Sequence, residues 1–549
     1  MPIHPIPVVE TIHRVDCFVH KRSFRFSSPE EQVMLLLLQT LFYYVPPLLF
    51  SIFFLFKWLS TAKTKRNLPP SPPKLPIIGN LHQLGVFPHR SLRSLAQQYG
   101  PLILLHFGSK PVLFVSSADA AREIMKTHDL IFSNRPKSSI LRRVFYDKDV
   151  AFTPYGEYWR QVKSICVLNL LSNRRVQSFH RVREEETALL IEKIKHAASS
   201  SPVDLSEMIV SLTNDVVCRV ALGRKYSRIS KSGRKFKDLL RDIGELMGEF
   251  NLGDYILWLA WLNQINGLNA RVEKIAKELD EFLEGVIEDH IDSKKKESNG
   301  GGSGDQDKKQ QDFVDVLLEI QRENTDGFLL QRDSIKALIL DMFAAGTDTT
   351  FTALEWTMTE LLKHPKAMNE LQHEVRVIAR GKLEITEDDV EKMQYLKAVI
   401  KESIRLHPPT PLLVPRESTQ DVKVMGYDIA AGTQVFINAW AIARDPLLWK
   451  DAEDFRPERF LNKSIDFKGH DFKFIPFGAG RRGCPGIQFT TSVNELALAN
   501  LVHKFDFALP DGATEEDFDI TEAPGISVHK KYPLLVVATP CSLVSVLAT

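Results

Sequence analysis

Residues 331–363 constrain the fold more than any other part of this 549-residue chain. The stretch IKALILDMFAAGTDTTFTALEW is apolar nearly all round. A helix without a polar face has to be enclosed by other elements, so one long helix is expected to cross the core. Within it lies AGTDTT, residues 345–350. Gly346 is costly in a helix interior. Asp348, Thr349 and Thr350 are polar where burial is expected. A threonine hydroxyl can bond back to the carbonyl four residues earlier and bend the helix. Glycine plus a displaced threonine opens a groove with room for a small molecule such as dioxygen and for water. Standing alone, the stretch reads first as a satisfied kink in the core.

The rest of the chain agrees with a mainly helical body. LILLHFG (102–108) and PVLFVSS (111–117) read as two strands around a Gly108–Lys110 turn. Helical periodicity then dominates from about 118 to 410. Helices are expected at Ala118–Thr127, Tyr158–Leu171 and Val182–Ala198, and short strands return at Val422–Tyr427 and Thr433–Asn438. Residues 293–311, SKKKESNGGGSGDQDKKQQ, read as a flexible surface loop. DYILWLAWL (254–262) reads either as a core helix or as a surface loop that dips into a membrane. The fold class is mainly α with small β-sheets, in one catalytic body. A net charge of +1 argues against nucleic acid as a partner. Cys17, Cys166, Cys218, Cys484 and Cys541 are scattered without a CxxC pair, which argues against a disulfide framework or zinc site. That usage suits a reducing compartment.

Residues 33–59, VMLLLLQTLFYYVPPLLFSIFFLFKWL, carry no charge before Lys57. The run is long enough to span a bilayer, with a kink at Pro46–Pro47. A signal peptide is the alternative, but the run exceeds a signal core and no small-residue cleavage site follows. Lys57, Lys63, Lys65 and Arg66 follow it, which places the body on the cytosolic side. Met34 stands directly before the run, so residues 1–33 are expected to be an atypical, non-native extension. The expected division is 1–33 extension, 34–59 transmembrane anchor, 60–80 basic and proline-rich hinge, 81–540 catalytic domain and 541–549 tail. PPSPPKLPIIGN (69–80) is a stiff extended linker.

Residues 476–486 read PFGAGRRGCPG, and an apolar segment opening a helix at Ile487 follows. Glycines let backbone come close to a flat macrocycle. The helix aims its first N–H groups and positive dipole end at the Cys484 sulfur, which stabilises a thiolate. The alternative is a structural cysteine in a tight turn. The spacing Phe477, Gly480, Arg482, Cys484, Gly486 resembles the haem-binding signature of the cytochrome P-450 family, the haem-thiolate monooxygenases. YWRQVK (158–163), AGTDTT (345–350), KESIRLHPP (401–409) and FRPERF (455–460) follow the same family's pattern in the same order. Their wording resembles the plant microsomal branch of specialised metabolism, over roughly residues 34–540.

The resemblance implies haem b, iron protoporphyrin IX, with Cys484 as the axial ligand. It implies Thr349 and Asp348 as the catalytic pair that delivers protons at dioxygen. Trp159, Lys163, Arg416, Phe477, Arg482 and Gly486 are the implied cofactor-binding residues, with Arg482 as a bidentate partner of a haem carboxylate. Arg160 is a further candidate to share that task. Where the family often has arginine this chain has Lys163, a point charge that suits one salt bridge and not a fork. Glu402 and Arg405 share a helix face; with Arg459 they resemble the family's buried Glu-Arg-Arg network, a structural role. The substrate side is implied near 133–152, Phe343–Thr347, Leu412–Val414 and Ile526, mainly apolar and suited to a hydrophobic small molecule.

Electrons are expected from NADPH through a separate NADPH-cytochrome reductase, with cytochrome b5 as an optional second donor, since the chain has no dinucleotide fingerprint. The expected place is the endoplasmic reticulum membrane, single-pass, against membrane lipid, with the catalytic domain facing the cytosol. Two other readings share the motifs: a dehydratase or isomerase on the same scaffold acting on an oxime, and a non-enzymatic haem sensor or carrier.

Overall fold

A computed structural model describes residues 40–52, 66–198, 202–225, 236–299, 310–323, 328–510 and 519–541. The chain divides into two units, Met1–Arg66 and Asn67–Thr549. In the first, residues 40–52 are helical and mostly exposed. The expected extension 1–33 lies outside the described residues, as does most of the apolar run beyond that helix. Among the described residues, no helix is long and apolar enough to cross a membrane.

Among the described residues the second unit is mostly helix with three small sheets. Strands β1 (Leu102–Phe107) and β2 (Lys110–Val115) form the expected hairpin. Helix α1 (Glu157–Ile165) carries YWRQVK and runs on into a wider turn, Cys166–Leu170. β3 (Val203–Asp204) leads into α2 (Leu205–Leu222), capped by the Asp204 carboxylate on the Glu207 N–H. α3 (Leu268–Asn299) precedes the long central helix α4 (Arg332–Lys363). α5 (Gln394–Leu406) ends before Pro408, and α6 (Ile487–Lys504) follows the Cys484 loop. β4 (Arg416–Glu417), β5 (Val422–Val424), β6 (Tyr427–Ile429) and β7 (Gln434–Ile437) come between them. β8 (Phe505–Ala508) and β9 (Leu535–Pro540) close the chain order.

The larger sheet runs β1-β2-β7-β4. β7 is parallel to β2, with Val112 opposite Gln434, and antiparallel to β4, with Arg416 opposite Val435. A second sheet runs β3-β9-β8, and β5-β6 is a hairpin. α4 packs against α2, α5 and α6, which surround it as its apolar circumference requires. The largest apolar core forms along this helix, with Leu338, Leu340, Leu354 and Met358 inaccessible to solvent.

Two sequence readings are corrected. Residues 293–299 are not loop but the last turns of α3, because the charged face of SKKKESN continues that helix; 300–309 lie outside the described residues. The core-helix reading of 254–262 also fails. Leu252–Tyr255, Leu257–Leu259 and Leu262–Ile265 are separate short turns. The backbone folds back so closely that a Cβ on Gly253 would lie 2.9 Å from Ala260 Cα. Leu257, Trp258, Trp261 and Ile265 are 73%, 63%, 54% and 74% exposed.

Candidate active site

The Cys484 loop is shaped by its own backbone. Gly480 has φ +70°, and a Cβ there would come within 2.3 Å of the Met125 carbonyl. The Cys484 N–H donates to the Phe477 carbonyl at 3.0 Å. The Gly486 N–H, just ahead of α6, donates to Cys484 Sγ at 3.3 Å. The side chain is exposed to the open space of a cavity while packed atoms crowd its other sides. Burial therefore pushes the thiol pKa up, and the Gly486 N–H and the Lys163 charge pull it back.

That cavity holds about 1550 Å³ of empty space, open solvent at its mouth included. Cys484, Phe477, Gly486, Thr349, Trp159, Lys163, Arg416 and Arg482 all line it. Thr349 comes from the middle of α4, where its hydroxyl donates to the Ala345 carbonyl at 2.6 Å. The back-bond expected from AGTDTT is thus present. Asp348 is half-buried and does not line the cavity, so the two members of the expected pair occupy different sides of α4.

Buried cations crowd one wall. Arg482 gives Nε to the Ser133 carbonyl (2.7 Å), Nη1 to Val150 (3.2 Å) and Nη2 to Thr153 (2.6 Å). Three of its five N–H groups are committed to backbone, which leaves one on each Nη for a carboxylate. Trp159 stands on the same wall: its indole N–H donates to the Val150 carbonyl at 3.0 Å, and its ring lies under Arg482. Lys163 donates Nζ to the Gly483 carbonyl at 2.9 Å. Arg160 is exposed and does not line the cavity. Arg416, set by the β4–β7 register, gives Nη2 to the Ala479 carbonyl at 2.7 Å. Its Nη1 is buried without a hydrogen-bond partner, with Asp129 at 3.6 Å as the nearest carboxylate. Burial lowers Arg416 to about 10 and, helped by the Arg416 charge, Arg482 to about 9; both remain cations at neutral pH.

Arg135 belongs to this wall and carries no motif. It gives Nε to the Ala151 carbonyl and Nη1 to Val414 and Pro415, each at 2.8 Å. Asp341 also lines the cavity. It stands eight residues before Thr349 on α4, a lone charge in an apolar run, and that placement was a usable signal. Burial pushes Asp341 and its neighbour Asp149 above the usual carboxylate range. A thiol, an orphaned buried guanidinium nitrogen and a surplus of buried cations fit a planar iron group with two carboxylates. Of the expected substrate-side residues, Val150, Ala151, Ala345, Gly346, Leu413 and Val414 line the cavity, whereas Phe343, Leu412 and Ile526 do not.

Behind the site, Glu402 and Arg405 are both fully buried on α5. Arg405 donates Nε to Glu402 Oε2 at 2.7 Å and Nη2 to Oε1 at 2.9 Å. Arg459 Nε and the Arg456 N–H each reach Glu402 Oε1 at 2.8 Å. Arg405 Nη1 also caps the Ala443 and Ala452 carbonyls at 2.7 Å.

The cytochrome P450 family model matches residues 69–537. Cytochrome P-450 736A117 of Prunus mume is 61% identical over 90% of this chain and 96% of its own length. Norfluorocurarine oxidase of Strychnos is 57% identical over 89% of this chain and 96% of its own. The 3-beta-hydroxylase of Tanacetum parthenium is 56% identical over 90% and 97%. A zebra fish cytochrome P-450 crystallised with abiraterone superposes with a TM-score of 0.70 at 25% identity, covering 83% of this chain and all of that one. With catalytic body, cavity and sequence in agreement, the chain belongs to the cytochrome P-450 family, as a haem-thiolate monooxygenase supplied with O2 and reductase-derived electrons.

Proposed function

We propose that Cys484 is the axial ligand of the haem iron and that the enzyme oxidises a hydrophobic plant specialised metabolite. The observation that carries this reading is the convergence of Cys484, Thr349 and Arg416, whose Nη1 makes no hydrogen bond and has only the 3.6 Å ion pair with Asp129, on one cavity. When bound, haem b supplies reductive activation of O2 and transfer of one oxygen atom to the substrate, the other leaving as water. Arg416, Lys163 and the remaining N–H groups of Arg482 would hold its carboxylates. Phe477 and Gly486 flank the ring side of the loop, and Trp159 serves by supporting Arg482. The Gly486 N–H stabilises the sulfur anion.

Thr349 holds a hydroxyl at the cavity wall, able to pass a proton inward. Asp348, half-buried on the same turn, replenishes that proton from outside. Val217, Ala221 and Leu413 give the substrate an apolar surface that orients it by shape and excludes water. Relatives named as an oxidase and a 3-beta-hydroxylase favour net oxidation over dehydration.

NADPH electrons reach the iron through a separate NADPH-cytochrome reductase. Residues 34–59 anchor the protein in the endoplasmic reticulum membrane behind the 60–80 hinge, with the 81–540 domain on the cytosolic side. The exposed Leu257, Trp258, Trp261 and Ile265 suit contact with the lipid surface. Cys484→Ser tests the core of the reading. The variant should lose the reduced-CO band of thiolate-ligated haem and all product formation; retention of both would overturn it.

A further inference from the structure

Residues 149–153 form an irregular segment along the cavity wall, without helix or strand to fix their carbonyls. Yet those carbonyls hold two members of the cation wall, Arg482 and Arg135. Val150 accepts from Trp159 Nε1 at 3.0 Å and Arg482 Nη1 at 3.2 Å. Ala151 accepts from Arg135 Nε at 2.8 Å, and Thr153 from Arg482 Nη2 at 2.6 Å. A buried guanidinium whose acceptors drift is a costly group, so something has to hold the acceptors.

Two buried carboxylates do this from the amide side. Within the segment, Asp149 accepts the Phe152 N–H at 2.6 Å and the Thr153 hydroxyl at 2.9 Å. Asp341 reaches in from α4 and accepts the Val150 N–H at 2.6 Å. Asp341, Ala345 and Thr349 stand four residues apart on α4, and all three line the cavity.

We infer that Asp341 is a positioning residue, clamping segment 149–153 to the helix that carries Thr349 so that its carbonyls hold Arg482 and Arg135 in place. A single hydrogen bond at Val150 thereby couples the cation wall to the central helix. Asp341 needs an acceptor oxygen for this, not a charge. The consequence for haem rests on the reading of Arg482 as facing the cofactor; the clamp itself does not.

Hydrogen exchange on the full-length holoprotein reads the clamp directly. In the wild type, a peptide covering 149–153 should exchange slowly, like α4. Asp341→Asn keeps an acceptor and should retain that protection. Asp341→Ala should lose it by tenfold or more and transfer haem to apomyoglobin about fivefold faster. Unchanged exchange in Asp341→Ala, or equal loss in Asp341→Asn, overturns the clamp. Should Asp341→Ala not accumulate, coil-like exchange at 149–153 in the wild type or in Asp341→Asn overturns it without that variant. Faster haem transfer in Arg482→Lys but not in Asp341→Ala would break the link from segment to cation, leaving the exchange result to judge the clamp alone.

Discussion

The guanidinium carbon of Arg482 lies 4.1 Å from the centroid of the Trp159 indole ring. The two residues also share the Val150 carbonyl as an acceptor. A face of π density and three backbone carbonyls hold this buried cation. Arg482→Lys replaces a fork by a point charge and leaves the Ser133 or the Thr153 carbonyl without its donor, Val150 keeping that of Trp159. The cost should be about 2–3 kcal/mol, seen as a lower thermal midpoint together with reduced haem content. Trp159→Phe keeps the face and loses one neutral donor, so its cost should be about 1 kcal/mol. The reverse ranking of the two variants would contradict this arrangement.

Glu402 accepts from Arg405, Arg459 and the Arg456 backbone at once. Glu402→Ala strands a fully buried arginine and should cost about 3–5 kcal/mol, enough to exhaust a marginal domain. Soluble, haem-loaded protein should nearly vanish on expression. Glu402→Gln, which still accepts but lacks the charge, should fall between. Normal haem loading in the alanine variant would refute the structural role.

The motifs that were legible in the sequence are those whose members sit within one turn or one loop. Glu402 and Arg405 are three residues apart on a helix, and the Cys484 loop encloses its sulfur within a few glycine-rich residues. The long helix was legible because an apolar circumference over some thirty positions has few other meanings. Arg135 was not, since its acceptors are the carbonyls of Ala151, Val414 and Pro415, and only the fold brings them together. The Val150 carbonyl that takes the Trp159 N–H was not legible either, because a main-chain acceptor has no signature in the side chains. Position 254–262 stayed ambiguous because apolar composition fits both a core helix and a surface loop; the close approach of Gly253 to Ala260 and the exposure of Trp258 and Trp261 exclude the core helix.

Thr349 donates to the Ala345 carbonyl, a bond that contributes little to helix stability. Thr349→Ala should therefore fold and load haem normally. If its hydroxyl passes the proton, product formed per NADPH consumed should drop, by as much as ~10²-fold for a lost general-acid step. Thr349→Ser should restore most of the coupling. Full coupling in the alanine variant would remove Thr349 from proton delivery.

Glu495 on α6 sits half-buried near Lys397, Lys401 and Glu387. Burial pushes its carboxyl up to about 7; the two lysines pull it back and Glu387 adds a smaller push. The folded state therefore holds a proton that the unfolded chain releases near the ordinary carboxyl value of 4.5. Between those limits the native protein binds more protons, so stability falls as pH rises and levels off above 7. Glu495→Gln removes the penalty without changing shape. Its thermal midpoint should match the wild type at pH 4 and exceed it at pH 8. The gain should be on the order of 1 kcal/mol, since partial exposure screens part of the shift. An equal gain at both pH values would point to packing, and none at pH 8 would show the carboxylate to be hydrated in the folded protein.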